Sequence, residues 1–427
     1  MPTLTAPKLK GLDVERFARI RQKTEEICKP LLTEDYVVQS CDEVSPPKWH
    51  LAHTSWFFEH FLLARHLPDY EHFDHGFHYL FNSYYESEID ELFDKGTRGT
   101  ASRPTVTKIY EFRAHVTNGM IDLLSNQLPT DRESLEKISL YVNIGLFHEE
   151  QHQELLLMDI KHIFASSYTK PSYLTPPLPT PEYDIPALEF ISFAGGITEI
   201  GYSGDEFFAD NETPRHKVFM NPYGLSNRLI TCGEYLEFIE DGGYEDSRYW
   251  LSDGWQKCQD EGWKAPLYWR KGPAGWEIFT LHGMQKLRMN EPVIHISFYE
   301  ADAFARWKGY RLPTEYEFEY VSKDYDIAGN FLEENLLHPM PAKGEGPFYQ
   351  FFGTAWEWTQ TPYQPYPGFR TLFEGVGEYN GKFMCNQMVM RGGCALTPVR
   401  HMRKTYRNFY RPENRWQMSG IRLARDY

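Results

Sequence analysis

The sequence predicts two domains of different class, a bundle of four helices followed by a loop-rich α+β domain. The chain has 427 residues, which is about three times the length of a typical ~150-residue domain. Residues 171–186 read PSYLTPPLPTPEYDIP, and proline at this density interrupts helices and central strands. The hydrophobic pattern also changes there, from long stretches at helical spacing to short stretches broken by Gly, Pro, Asn and Asp. We therefore predict a helical domain over 1–170, a linker over 171–186 and a second domain over 187–427.

The first domain is predicted to contain four long helices. Asp13 can cap the first of them, VERFARIRQKTEEIC, in which apolar residues recur at helical spacing. Three further periodic stretches run over 49–66, 105–126 and 132–164. Because polar connections join these stretches, we predict an antiparallel four-helix bundle, a fold that often holds a metal between facing helices.

The second domain is predicted to be irregular, with one clear helix over 298–308. Its short elements favour an α+β fold over a doubly wound sheet. The chain contains no GxGxxG turn after a strand and no GxxxxGK[ST] loop, so nucleotide binding has no support.

Charge and hydropathy argue against several classes of partner. The chain has 44 Lys and Arg against 60 Asp and Glu, and its formal net charge of −16 repels nucleic acid and anionic membranes. No apolar run reaches the roughly 18 residues of a membrane-spanning helix, and the first residues, MPTLTAPKLKGLDVERF, lack the apolar core of a secretory signal. The six cysteines are scattered without a CxxC pair. We expect a cytoplasmic protein without nucleic-acid or membrane partners, and homo-oligomerisation stays open.

The segment LFHEEQHQELLLMDI contains the most informative pattern in the chain. His148 and His152 are four residues apart, so on a helix they share one face and can bind one metal. The segment KWHLAHTSWFFEHF offers a third ligand from among His50, His53 and His60. His53 is favoured because apolar neighbours at three- and four-residue spacing direct its face into the bundle.

The ligand types leave the metal and its chemistry open. Three imidazoles without a thiolate suit zinc, iron or copper, and a three-ligand site leaves positions for substrate and oxygen. HEEQH also matches the HExxH pattern of zinc proteases, in which Glu149 would be the general base. A histidine pair at this spacing also occurs by chance on helix surfaces.

Tyr84 and Tyr85, in the segment LFNSYYES, are candidate catalytic residues. A tyrosine near an open metal site can donate a proton or a hydrogen atom to oxygen. The alternative is that both rings pack in the core with a hydroxyl partner, in a chain with 28 Tyr, 29 Phe and 11 Trp.

Nearly the whole chain resembles one enzyme family. The order HLAHTSWFFE, FNSYYES, RGTASRP and HEEQHQE resembles the helical, DinB-like half of the iron(II)-dependent sulfoxide synthases of ergothioneine biosynthesis. The second half is similar to their other module, which is related to formylglycine-generating enzymes and C-type-lectin folds. The segments that carry this similarity are FAGGITEIGY, DNETPRHKVF, EPVIHISFYEADAFARWKGYRLPTEYEFE, GTAWEWTQTPYQPYPGF, VMRGGC, YRNFY and GIRLAR.

The resemblance implies a metal and a reaction. It implies a facial iron(II) site formed by His53, His148 and His152. The family joins the imidazole carbon of hercynine to a thiol sulfur, oxidises that sulfur to a sulfoxide and consumes O₂. Open positions at the metal would bring the reactants together in a productive arrangement.

One departure from the family pattern concerns the catalytic tyrosine. In one branch this residue lies after the PYPGF segment, where the present chain has Leu372 and Phe373. The resemblance therefore implies the arrangement of a second branch, in which the role belongs to Tyr84 or Tyr85.

A second departure concerns the thiol. The first branch has an Asn-Trp-Asp run where this chain has Asn408, Phe409 and Tyr410. The missing carboxylate is one that helps to hold a γ-glutamylcysteine donor, so free cysteine becomes the expected thiol, with γ-glutamylcysteine as the alternative. Asn408 stays a candidate contact to the hercynine carboxylate.

Further substrate contacts are expected in both halves. Arg98 and Arg103 can each form bidentate hydrogen bonds to a carboxylate. Gln151 is, by resemblance, a candidate contact to the hercynine imidazole. Phe409 and Trp416 can face a trimethylammonium group through cation–π attraction, although core packing is the ordinary role of such rings.

Three other functions remain alternatives. The sulfoxide synthase of ovothiol biosynthesis uses unmethylated histidine, but this chain has no segment for the methyltransferase domain that often accompanies that activity. A formylglycine-generating enzyme needs a cysteine pair where this chain has Thr397 and Met402, and Cys394 alone is expected to be a packed residue. A lectin-like binding protein without enzymatic activity is the third alternative, although no carboxylate cluster suits calcium.

Overall fold

The computed structural model describes residues 12–83, 93–175, 177–181, 183–371 and 378–427. The chain divides into two compact units. The first unit comprises the described parts of Met1–Tyr168, Ser203–Phe208 and Phe373–Tyr379, and the second unit comprises the rest. The prediction of a helical domain followed by a loop-rich α+β domain is confirmed. The predicted domain boundaries stay a prediction.

Helices form most of the first unit. They are α1 (Val14–Cys28), α2 (Pro47–Phe58), α3 (Ala64–His66), α4 (Gly76–Phe81), α5 (Val106–Asn126) and α6 (Arg132–Ser166). A π-helical turn, Glu59–Leu63, joins α2 to α3, so the helix predicted over 49–66 is one continuous helical segment. Because α1 and α2 each pack against both α5 and α6, the long helices form the predicted bundle.

Side-chain caps determine where three of the long helices begin. The Asp13 carboxylate accepts hydrogen bonds from the backbone N–H groups of residues 15 and 16, at 2.9 and 3.2 Å. Thr105 caps α5 through the N–H of residue 108, and Asp131 caps α6 through the N–H of residue 134. These contacts satisfy backbone donors that the first helical turn leaves unpaired.

A buried carboxylate connects α6 to two neighbouring helices. Glu149 is fully buried, and its oxygens accept from Arg21 of α1 at 2.9 Å and from Arg113 of α5 at 2.5 Å. Thr24 of α1 donates to the same carboxylate at 2.7 Å. Burial alone would raise the pKa of Glu149, but the guanidinium groups of Arg113 and Arg21 outweigh it and hold this pKa at about 2. The ionised carboxylate therefore fixes the rotation of α6 about its axis.

We predict that Glu149→Gln lowers the free energy of unfolding by about 3–5 kcal/mol, because it leaves the buried guanidinium of Arg21 without its ion-pair partner and that of Arg113 with only the partly exposed Glu25. In the wild type, the stabilisation from this carboxylate is complete above pH 4.5 and is lost as the pH falls towards 2. Urea unfolding of both proteins as a function of pH measures both effects. The control is Glu133→Gln, which removes an exposed carboxylate of the same helix. Equal stability of the Glu149 and Glu133 variants would contradict the prediction.

The described residues of the second unit form four small sheets. Strands β1 (Phe190–Phe193), β4 (Tyr223–Ser226) and β12 (Ala424–Asp426) form one antiparallel sheet in the order β1-β4-β12. Strands β2 (Gly196–Ile200) and β3 (His216–Met220) pair with each other. Strands β5 (Trp269–Gly272), β6 (Gly275–Thr280) and β7 (Gly283–Lys286) form an antiparallel sheet with β6 in the centre. The fourth sheet has the order β10-β9-β8-β11 and contains β8 (Trp356–Pro362), β9 (Met388–Arg391), β10 (Asn408–Tyr410) and β11 (Ser419–Gly420).

More helices are present in the second unit than the sequence predicts. They are α7 (Cys232–Glu240), α8 (Ser252–Asp260), α9 (Phe298–Trp307) and α10 (Glu315–Ser322). The residues of a further short helix, α11 (Glu378–Gly381), are divided between the two units. The predicted helix over 298–308 corresponds to α9, whereas α7, α8 and α10 were not predicted from the sequence. A capping box was the available signal for two of them, since Thr231 pairs with Glu234 and Thr314 pairs with Glu317. Among the described residues, no helix has both the length and the apolar composition required to cross a membrane.

The proline-rich segment belongs to the second unit. Arg288 donates to the carbonyl oxygens of Leu178 and Pro179, at 3.1 and 2.6 Å. Arg228 donates to the carbonyl oxygen of Pro186 at 2.7 Å. Proline has no N–H to donate but keeps its carbonyl acceptor, so arginine side chains can hold such a segment against the fold. The proline content of the segment does not by itself predict these contacts.

Candidate metal centre

Three histidines converge between α2 and α6. The ligand atoms of His53, His148 and His152 all lie within 4.8 Å of one another, and all three residues are buried. The Nε2 atoms of His53 and His148 are 3.1 Å apart. Among the described residues, this is the one group of three or more potential ligands close enough to share a metal. The predicted ligand set is therefore assembled in the structure.

Burial keeps these imidazoles neutral. It lowers the pKa of His148 to about 4 and moves the pKa values of His53 and His152 well below their usual range. For His53 and His152, the neighbouring His148 lowers the pKa further. Neutral imidazoles offer lone pairs, and two nitrogens that each lie about 2.1 Å from one ion are about 3 Å apart in adjacent positions. The three side chains therefore fit a divalent metal.

His53 is held in place by a hydrogen bond and two stacked rings. Its Nδ1 lies 2.5 Å from the carbonyl oxygen of Phe81, so Nδ1–H is the donor and Nε2 remains for the metal. The Trp49 ring stacks on the imidazole at 4.4 Å between centroids, and Trp56 stacks at 5.8 Å. Positions 49, 53 and 56 share one face of α2, which explains why the three rings form a column.

His152 is held through a second histidine. Its Nδ1 lies 2.9 Å from Nδ1 of His50, and Nε2 of His50 lies 3.0 Å from a carboxylate oxygen of Asp159. His50 was an alternative third ligand in the sequence, but it lies outside the triad and contacts a ligand instead. Asp159 was not among the residues predicted from the sequence. Its position, seven residues or about two helical turns after His152, was the signal that could have revealed it.

The zinc-protease interpretation does not fit the site. Glu149 lies about 100° round α6 from His148, and its carboxylate forms the ion pairs with Arg21 and Arg113 described above. A general base must reach the reacting atoms and accept a proton near neutral pH. With a pKa of about 2 and two guanidinium partners, Glu149 does neither.

Arg98 lies beside the aromatic column. Its guanidinium is buried, donates to the hydroxyls of Ser45 and Ser83 at 2.9 and 2.7 Å, and lies 3.5 Å above the centre of the Trp49 ring. Arg103 is exposed, on a loop whose carbonyl groups accept hydrogen bonds from Lys48. The geometry connects Arg98 to His53 through Trp49, which the sequence did not indicate.

The other predicted site residues of the first unit are Gln151, Tyr84 and Tyr85. Gln151 is half-buried on α6, between His148 and His152 in the chain. Tyr84 and Tyr85 lie outside the described residues. Their catalytic role stays a prediction, as do the substrate contacts of the two arginines and Gln151.

Asn408 and Phe409 lie on β10 of the second unit. Asn408 is buried, and its side-chain oxygen accepts from the backbone N–H of Phe409 at 2.9 Å. The Phe409 ring stacks on Tyr363 at 4.0 Å between centroids. Trp416 is buried against the edge of Tyr410, which favours a packing role for Trp416. Their substrate contacts also stay predictions.

The positions of the formylglycine-generating cysteine pair contain no thiol. Thr397 and Met402 occupy them, and both are buried. The Thr397 hydroxyl lies 3.4 Å from the sulfur of Cys394 and 2.9 Å from its backbone nitrogen. Cys394 is therefore packed within a turn, in agreement with its predicted role.

Comparison with known families covers both halves of the chain. Residues 176–427 match the sulfatase-modifying factor enzyme 1-like domain. These residues make up more than half of the sequence. The chain belongs to this family. Residues 16–156 match the DinB superfamily, so the helical unit that contains the histidine triad also has known relatives.

Relatives of this family member include two mycobacterial oxygenases. The hercynine oxygenase of Mycolicibacterium smegmatis is 29% identical over 90% of this chain and 91% of its own length. That of Mycobacterium tuberculosis is 33% identical over 51% of this chain and 56% of its own length. The formylglycine-generating enzyme of Streptomyces coelicolor is 24% identical over 55% of this chain and 88% of its own. The prediction of an oxygenase with the two modules of an ergothioneine sulfoxide synthase is confirmed.

We predict that His53→Ala, His148→Ala and His152→Ala each abolish tight binding of one divalent metal, because each removes one of three converging nitrogens. Metal content after anaerobic loading and desalting measures the effect. The control is His60→Ala, which changes a histidine of the same helical segment that lies outside the triad. Stoichiometric metal in His148→Ala would show that the assignment is wrong.

Proposed function

We propose that this protein is a non-haem iron(II) enzyme that uses O₂ to join hercynine to cysteine, giving hercynylcysteine sulfoxide in ergothioneine biosynthesis. The observation that carries the proposal is the buried triad of neutral imidazoles on α2 and α6. It occurs in a chain that aligns over nine-tenths of its length with a hercynine oxygenase.

The donor set supports iron as the metal. Three neutral nitrogen ligands, without a thiolate or carboxylate, do not offset the charge of a divalent ion. They also leave coordination positions open for substrate and oxygen. When bound, Fe(II) supplies the one-electron redox chemistry that the activation of O₂ requires. The triad alone also suits zinc and copper, so the choice of iron rests on the proposed reaction.

The residues around the triad exclude water and orient the ligands. Trp49 and Trp56 cover the His53 ring, and the Phe57 ring lies 5.2 Å from that of His148. In such an apolar pocket, electrostatic interactions are stronger than in water and unwanted hydrolysis is suppressed. We propose that Arg98 and Arg103 bind a substrate carboxylate, and that the Trp49 ring, 3.5 Å from the Arg98 guanidinium, helps to position Arg98.

The remaining contacts are proposed from the resemblance. Gln151 would contact the hercynine imidazole, Asn408 its carboxylate and Phe409 its trimethylammonium group. Cysteine is proposed as the thiol because Tyr410 stands where a carboxylate would hold γ-glutamylcysteine, and γ-glutamylcysteine is the second candidate. The six free cysteines support a reducing compartment, for which we propose the cytoplasm.

We predict that O₂ consumption requires hercynine and cysteine together, with iron(II)-loaded protein. An oxygen electrode, combined with mass spectrometry of the product, measures it. Faster consumption with histidine than with hercynine would favour the ovothiol-type enzyme instead. A flat oxygen trace with every pair of substrates, despite bound iron, would overturn the proposal in favour of a binding protein. His148→Ala is the matched control because it lacks one proposed ligand.

We predict that Tyr84→Phe, Tyr85→Phe or the double variant forms more cysteine sulfinate and less sulfoxide. A phenol that supplies a proton helps one oxygen atom leave as water, whereas without it both oxygen atoms can reach sulfur. Phe keeps the ring volume, so packing changes little. Product ratios and iron content of the three variants test this, with Tyr79→Phe of α4 as control. An unchanged ratio in the double variant would assign both tyrosines to packing.

A further inference from the structure

A relay of side-chain contacts extends from His152 of the metal centre through His50 to Asp159. Nδ1 of His152 lies 2.9 Å from Nδ1 of His50, and Nε2 of His50 lies 3.0 Å from Oδ2 of Asp159. The same oxygen of Asp159 accepts from the backbone N–H of Ser45 at 2.8 Å. All four residues are buried, so each contact is made without competition from bulk water.

The proton positions in this relay follow from which atom must donate and which must accept at each contact. The Asp159 carboxylate is an acceptor, so Nε2–H of His50 must be the donor to it. A neutral His50 then has a lone pair on Nδ1, and the 2.9 Å contact requires a proton on Nδ1 of His152. His152 in this tautomer has its lone pair on Nε2. The opposite arrangement, with His50 donating to His152, would place a proton on Nε2 and block metal binding.

We infer that Asp159 and His50 are positioning residues that fix the tautomer of His152 and thereby present Nε2 to the metal. The inference rests on the metal centre of the proposed function and adds two residues that act through His152. Asp159 and His152 lie on α6 and His50 lies on α2, so the relay also holds together the two helices that supply the ligands. A change two side chains away from the metal therefore alters metal affinity.

The three ligands differ in how they are oriented, which makes His152 the ligand that side-chain substitution can test. His53 donates to the backbone carbonyl of Phe81, which no side-chain substitution removes. Nδ1 of His148 has no hydrogen-bond partner among the described residues. His152 alone of the three is oriented by a relay of side chains within the described structure. Partners of this kind typically contribute about 10- to 100-fold to metal affinity.

The test measures the affinity of the full-length, metal-free protein for Zn(II) by competition with a chromophoric chelator. His50→Leu is expected to weaken binding by about 10- to 100-fold, and Asp159→Ala is expected to change it in the same direction. His50→Asn should retain most of the affinity, because its amide oxygen can accept the hydrogen bond from His152. Rescue by Asn but not by Leu distinguishes a hydrogen-bonding role from packing. His162→Asn, a change on the same helix outside the relay, is the control and should bind zinc as the wild type does.

A second measurement needs no variant of the relay. In zinc-loaded wild-type protein labelled with ¹⁵N-histidine, long-range ¹H–¹⁵N spectra should show His152 with its proton on Nδ1, assigned by comparison with His152→Gln. A proton on Nε2 would overturn the inference, as would equal zinc affinity of His50→Leu and the wild type. If the wild type itself bound no zinc at the triad, the proposed metal centre would fail as well. Tight wild-type binding with unaffected relay variants would overturn the relay alone.

Discussion

The ion pairs of Glu149 are the interaction on which the arrangement of the candidate metal centre depends. A fully buried carboxylate is tolerated only with its counter-charges in place, and Arg21 and Arg113 supply them from α1 and α5. This requirement permits only one orientation of the long helix α6 about its own axis. In that orientation, His148 and His152 face α2, where His53 meets them. A predominantly hydrophobic contact would tolerate small rotations of the helix, whereas two directional ion pairs do not.

The triad itself is costly to bury without a metal. Three neutral imidazoles lie in an apolar pocket, and their lowered pKa values show how unfavourable protonation would be there. Two nitrogens 3.1 Å apart can share one proton, but a cation satisfies the lone pairs of all three ligands at once. The stacked rings of Trp49 and Trp56 keep the site dry and hold the plane of His53. The donor chemistry of the triad therefore suits a metal, and the choice of iron follows from the proposed reaction.

In the second unit, buried pairs of arginine and glutamate join the loops around a large hydrophobic core. Arg407 pairs with Glu315 through two hydrogen bonds, at 2.8 and 3.0 Å, immediately before the strand that carries Asn408 and Phe409. Arg422 pairs with Glu357 in the same way, at 2.8 Å for both bonds. The WEWT, RLPTE and GIRLAR segments, which contain Glu357, Glu315 and Arg422, thus support the fold.

The sequence by itself determined the fold class, the long helices of the first domain and the ligand triad, because helical periodicity and i,i+4 spacing are local properties. His148 and His152 had to share a face once α6 was helical, and the apolar neighbours of His53 directed it inward. The short helices α7 and α10 could have been found from their capping boxes, which are equally local. Only the tertiary structure decided that His50 supports a ligand rather than being one, that Asp159 takes part, and that Glu149 is an ion-pair partner rather than a base. Each of these roles depends on which side chain of a distant segment lies within hydrogen-bonding distance, and packing between helices determines that distance.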